Sequence, residues 1–294
     1  MMSSLFTRFG LALAWLLHFL PLPLLALLGN TTGAIFWLLG RERRGVADTN
    51  LRLCFPEMSA QERKRLVFRH FCVFGRSVIE RSILWWSSKK RIYRLVRVQG
   101  REHFEQSRDK PVIYLAAHFV GLEIAGNWMT FYVDGVSVYA KQKNLYFTDF
   151  LRRKRGRFRH QILFSRQDGL RGVIKAMRAG HPFYYFADQD VGAKDTLFVP
   201  FFGVPAATIT AVPRLAEMTG AKVVPAITRI LPGGQGYELT FYPAWDNYPS
   251  GDPMADTRRM NAFIEERVRE MPEQYFWLHK RFKTRPEGEE KLYP

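Results

Sequence analysis

From residue 111 onward the chain alternates short β-rich runs with helical ones, and no other feature constrains its fold as tightly. PVIYLAA, VSVYA, PFYYFAD, KVVPAITRI and YELTFYPAW read as strands, while GLEIAGNWMTF, GLRGVIKAMRAG, TITAVPRLAEMTG and TRRMNAFIEERVREM read as helices. That alternation predicts an α/β architecture with a mixed, largely parallel sheet flanked by helices. Upstream, DTNLRLCFPEMSAQERKRLVFRHFCVFGRSVIERSILWW reads as helical, and SAQE at 59–62 carries the capping-box pattern at the head of a second helix.

In such sheets ligands gather at the carboxyl ends of strands. AAHFVGLE, residues 116–123, puts His118 at one such end, and PFYYFA puts Asp188 at another. A histidine at a strand terminus, with Glu123 in the first turn of the following helix, can donate from Nδ1 to that carboxylate. The contact would fix the tautomer and leave Nε2 free as a general base. On one continuous helix the two side chains would lie ~140° apart, each residue advancing ~100°, so they meet only across a loop-to-helix junction. The same letters also fit a histidine satisfied in the core beside an unrelated surface glutamate. Asp188 and Asp190, in ADQD, fit either a polar turn capping a strand or the mouth of a site. Two aspartates flanking a glutamine are a weak basis for a metal site, and no metal is expected.

The 44 Lys and Arg against 27 Asp and Glu leave a net charge of +17. That favours an anionic partner: nucleic acid, a lipid headgroup surface or an acidic protein. FGLALAWLLHFLPLPLLALLG, residues 9–29, narrows the choice towards a membrane, being apolar except for His18 and about the ~20 residues a spanning helix needs. Pro21 and Pro23 should break or kink it. Basic flanks, Arg8 before it and RERR at 41–44 after it, suit a segment that enters and leaves on the cytoplasmic side, or one that lies in the interface. A signal peptide and a buried helix pair are the competing readings of the same stretch. The expected organisation is a membrane anchor over 1–40 followed by a single α/β domain over 41–294. Cys54 and Cys72 read as reduced thiols.

LRRKRGRFRH holds seven basic residues between Arg152 and His160. It suits a solvated helix face, pairing of Arg forks with phosphates, or docking of an acidic protein. PFFGVPAAT reads as a loop before a helix opening near Thr208, either a capped turn or an anion site at a helix N-terminus. The tail YFWLHKRFKTRPEGE mixes aromatics with Lys280, Arg281, Lys283 and Arg285, a pattern suited to a headgroup layer. No nucleic-acid-binding motif accompanies the charge, so no nucleic acid is expected. There is no G-x-S-x-G elbow for a serine hydrolase, and neither G-x-G-x-x-G nor a P-loop for nucleotide chemistry.

HFVGLE resembles the H-x-x-x-x-D/E signature of membrane-associated glycerolipid-type acyltransferases, in the form seen in the late, or secondary, acyltransferases of lipid A biosynthesis. FADQDVG (186–192), LFVPFFGVPAAT (197–208), VVPAITR (223–229) and PEQYFWLHKRFKTRPEGE (272–289) stand in that family's order. With FPE near Cys54 and the apolar N-terminus, the resemblance covers nearly the whole chain; Glu at the fifth position after the histidine, where the wider superfamily has Asp, fits the lipid A branch. It implies transfer of a fatty acyl group from an acyl carrier protein thioester to a hydroxyl on the acyl chains of a Kdo-lipid A precursor, at the cytoplasmic face of a bacterial inner membrane, without a cofactor. It also implies His118 as base and Glu123 as its orienting carboxylate. His279 is not expected to share that role, since the signature places the base in HFVGLE. Asp188 and Asp190 are implied as substrate contacts, as is an arginine that aligns with Arg155 or Arg157, Arg155 being the better match. The alternatives are a related acyltransferase acting on another hydroxylated lipid, such as an aminolipid or lysophospholipid, or a non-enzymatic membrane-associated binding protein.

Overall fold

The computed structural model describes residues 2–139, 144–165 and 168–293. The N-terminal third is helical: α1 (Met2–Leu17), α2 (Leu22–Leu39), α3 (Arg41–Cys54), α4 (Ala60–Trp86) and α5 (Lys89–Leu95). The apolar stretch breaks where its prolines stand. Pro21 takes an extended conformation as N-cap of α2, and Pro23 falls in the first turn, where a missing N–H costs nothing. Helix α4 opens on the expected capping box, Ser59 with Glu62.

The α/β part continues as β1 (Val96–Gln99), α6 (Arg101–Ser107), β2 (Val112–Ala116), α7 (Leu122–Met129), β3 (Val136–Tyr139), α8 (Leu145–Arg155) and β4 (Ile162–Ser165). It proceeds through α9 (Arg171–Arg178), β5 (Phe183–Phe186), β6 (Thr196–Phe201), β7 (Val204–Ile209), α10 (Ala211–Thr219), β8 (Lys222–Ile230), β9 (Tyr237–Phe241) and α11 (Pro253–Glu270). Ala140, the last residue of the VSVYA run, lies outside the described residues. Seven strands form one sheet in the order β1-β9-β8-β2-β5-β3-β4. Every adjacent pair is parallel except β8 with β9, so the sheet is mixed and largely parallel. All five residues of the central β2 are buried, as an apolar run covered on both faces should be.

The segment around residue 208 departs from expectation. In place of a loop leading into a helix, β6 and β7 form an antiparallel hairpin, turned through Phe202 and Gly203, both at positive φ (51° and 78°). Helix α10 opens only at Ala211, so this segment supplies no helix N-terminus at Thr208.

One feature of the register positions the site. Strands β2 and β5 are parallel neighbours with Ala116 paired to Phe186, so His118 and Asp188, each two residues further on, emerge side by side. The C-terminal segment then braces the turn after β2: Val120 N–H donates to the Gln274 carbonyl (2.8 Å), and Phe276 N–H donates to the His118 carbonyl (2.9 Å).

Candidate active site

His118 Nδ1 lies 2.6 Å from Asp188 Oδ1, and the His118 backbone N–H donates to Oδ2 at 2.8 Å. Asp188 is fully buried at 0% exposure, whereas the His118 side chain is 23% exposed. Burial alone would neutralise this carboxyl. The imidazole opposite it, the two hydrogen bonds and the more distant Arg281 outweigh burial and hold its pKa below the usual carboxylate value. An ionised carboxylate only accepts, so Nδ1 carries a proton, and in the neutral ring the lone pair falls on Nε2.

This corrects the expected pairing of His118 with Glu123. Strand register delivers Asp188 to Nδ1, and Glu123, in the first turn of α7, instead accepts from Arg155 Nη2 at 2.5 Å. Burial opposes the Glu123 charge, but Arg155, with Arg81 behind it, prevails and keeps the carboxyl ionised. Asp188, expected among substrate contacts, is thus the partner of the histidine. Asp190 is also not free for substrate. It is 3% exposed, and its carboxylate accepts from the Thr284 N–H (2.6 Å), the Thr284 hydroxyl (2.8 Å) and the Gly192 N–H (3.0 Å). It ties the loop after β5 to the C-terminal segment.

The two arginine candidates separate cleanly. Arg157 donates from Nη1 to the Trp85 carbonyl (2.9 Å) and from Nη2 to the Ser87 carbonyl, stacks over Phe158, and has its pKa pushed down to about 10 by burial. It caps the C-terminus of α4, whose free carbonyls attract a cation, and so is not placed for substrate. Arg155 borders the space in front of His118. The tail also differs from expectation. Arg281 is 2% exposed and donates to the Ala207 carbonyl (2.9 Å) and the Thr208 hydroxyl (2.8 Å), while Arg285 donates to the Pro205 carbonyl (2.7 Å). These two cations clamp the hairpin and do not face a headgroup layer. His279 Nε2 accepts from the Asp190 N–H (3.1 Å), and burial, reinforced by His118, pushes its pKa down to about 4.

Two neighbouring spaces lie near His118 and share lining residues. A chamber is bounded by His118, Thr148, Arg152 and Arg155 together with apolar side chains such as Leu151 and Phe186. Leu122, Val138, Arg155, Leu163 and Phe186 also border a second cavity, whose further lining includes Leu84, Trp85, Met129 and Val133. Among the described residues no group of three or more His, Cys, Asp or Glu is arranged to hold a metal ion. Sequence reasoning missed the partnership of Asp188, the support of Glu123 by Arg81, and Tyr184, which lines the cavity and donates to the Leu122 carbonyl at 3.0 Å. Only the first had a readable signal, since both PVIYLAA and PFYYFA end in an alanine shortly before the charged residue.

A histidine whose Nδ1 is held by a buried carboxylate, facing one space and close to a second whose lining is mainly apolar, is the arrangement expected of an enzyme that works on a hydroxyl next to a hydrocarbon chain. Residues 1–284 match the family described as "Bacterial lipid A biosynthesis acyltransferase". Similar curated proteins include the lipid A biosynthesis lauroyltransferase of Escherichia coli K12, 36% identical over 96% of this chain and 92% of that protein. The palmitoleoyltransferase of the same organism is 32% identical over 98% and 94%, and the myristoyltransferase 33% identical over 92% and 83%. This chain belongs to the bacterial lipid A biosynthesis acyltransferase family and is an O-acyltransferase acting late in that biosynthesis.

Proposed function

We propose that the enzyme moves a fatty acyl group from an acyl carrier protein thioester to a hydroxyl on the acyl chains of a Kdo-lipid A precursor, at the cytoplasmic face of the inner membrane, with His118 as general base. The observation that carries this is the His118–Asp188 contact. Nε2 takes the hydroxyl proton as the oxygen attacks the thioester carbonyl; collapse of the tetrahedral intermediate breaks the C–S bond, and the imidazolium returns the proton to the departing thiolate. Asp188 holds the ring and offsets the charge it gains. Glu123 holds Arg155, which borders both the chamber and the cavity, and the guanidinium meets an oxyanion of the substrate. The hydrocarbon of the donor extends into the apolar cavity. Membrane attachment is supported by helix Leu22–Leu39, long and apolar enough to cross a bilayer, and by outward apolar side chains on α1, Phe9 being 72% and Leu16 56% exposed.

Detergent-purified protein incubated with a Kdo-modified tetraacylated lipid A precursor and mixed acyl carrier protein thioesters should give one acyl mass increment, absent from His118→Ala. No increment from folded wild-type protein with any donor would overturn this reading.

A further inference from the structure

A third space lies outside the catalytic chamber, between the N-terminal helix and the body of the enzyme. It is walled by α1, α4 and α8, with Leu11, Ala14, Leu17, Ile79 and Phe147 supplying aliphatic and aromatic surface. Among the described residues its polar lining includes Thr7 and Asn144, which bond each other (Asn144 Nδ2 to Thr7 Oγ1, 2.7 Å). Trp85 borders both this groove and the inner cavity, and its ring packs on Phe150 of α8 at 5.2 Å.

Helix α8 therefore stands between two different environments. Thr148, Leu151, Arg152 and Arg155 border the chamber of His118, while Asn144 and Phe147 border the groove. Cations rim α8: Arg8, next to Thr7 on α1, lies over the Tyr146 ring at 5.3 Å, and Arg152 and Arg153, in the last turn of α8, are 61% and 63% exposed although both reach Asp149.

We infer that the α1–α4–α8 groove receives a non-reacting acyl chain of the lipid acceptor, so that the acceptor straddles α8 with its reacting hydroxyl at His118 and its anionic headgroup over the basic rim. The inference rests on the proposed acceptor. Two observations commit the groove to that occupant. It adjoins the inner cavity through one shared side chain, Trp85, so a chain lying in it is within one molecule's reach of the reacting centre. The cations that rim α8 also carry charge opposite to that of an anionic lipid. A chain delivered from the bilayer need not cross water, because the outer face of α1 is itself apolar and exposed.

Gly10 supplies the test. It is among the groove's lining residues, and a Cβ built on it meets no atom within 4 Å, so a larger side chain can be placed there without displacing the fold. Gly10→Leu should raise the acceptor KM about tenfold or more by displacing a buried chain, with the donor KM and the kcat at saturating acceptor unchanged. Met218→Trp, on the exposed surface of α10 away from the groove, should leave all three constants alone. With an acceptor analogue shortened in its non-reacting chains, wild type and Gly10→Leu should converge. An unchanged acceptor KM in Gly10→Leu overturns the groove assignment while leaving the reaction intact. An equal shift in Met218→Trp also overturns it, since the change then is not specific to the groove. Absence of transfer by wild type would instead remove the acceptor itself.

Discussion

Asp188→Asn tests the division of labour between the two carboxylates. The amide keeps the shape but removes the charge that stabilises the imidazolium and the acceptor-only character that fixes the tautomer. Its kcat should fall by about 10²–10⁴, the usual contribution of a positioned general base, with the acceptor KM little moved. Glu123→Gln leaves His118 with its partner and loosens Arg155, so the larger effect should fall on the acceptor KM, by several-fold. Steady-state kinetics on the two variants decides: equal losses of kcat would place Glu123 in the chemistry. Why the sequence suggested the other pairing is physical. His118 and Glu123 are close along the chain, whereas Asp188 lies 70 residues away and arrives through the neighbouring of β2 and β5, a tertiary fact that no local pattern carries. The partners of Arg157 and Asp190 are hidden for a related reason: a charged side chain held by backbone groups of distant segments looks, letter by letter, like one reserved for a ligand.

At the scale of elements, the contact between α2 and α4 is made backbone to backbone through Gly29, Gly33 and Gly75. A Cβ on Gly33 would stand 2.1 Å from the Phe71 carbonyl oxygen, and one on Gly75 would stand 2.3 Å from that of Gly29, so helices this close exclude every larger residue. Gly33→Ala should push α2 away and destabilise the protein by about 1–3 kcal/mol, read as a lower thermal midpoint in detergent. Gly10→Ala, with open space at its Cβ, should show no such loss. Long periodic helices and the apolar core strands were readable in the sequence. Strands β1 (VRVQ) and β4 (ILFS) went unread because four residues are too few to establish a period. The β6–β7 hairpin was hidden by a turn that uses Phe202 where a glycine or asparagine would have signalled it.

For the whole molecule, the question is how a net charge of +17 and an apolar N-terminal face share the work of holding the enzyme to its lipid substrate. Charge attracts from a distance and is screened over ~8 Å at physiological ionic strength, whereas apolar contact acts only after arrival and is insensitive to moderate salt. The two are spatially segregated here: exposed Phe6, Phe9 and Leu16 lie on α1, and the exposed guanidinium groups of Arg152 and Arg153 end α8. Binding of the full chain to phosphatidylglycerol vesicles should therefore be stronger than to phosphatidylcholine vesicles at low salt. Raising salt to about 0.5 M, where screening shortens to a few ångström, should erase that difference without releasing the protein. Complete release by salt in a flotation assay would show that charge alone holds the enzyme to the surface. Lipid-independent, salt-independent retention would leave the basic rim free of any bulk-membrane role and reserve it for the acceptor.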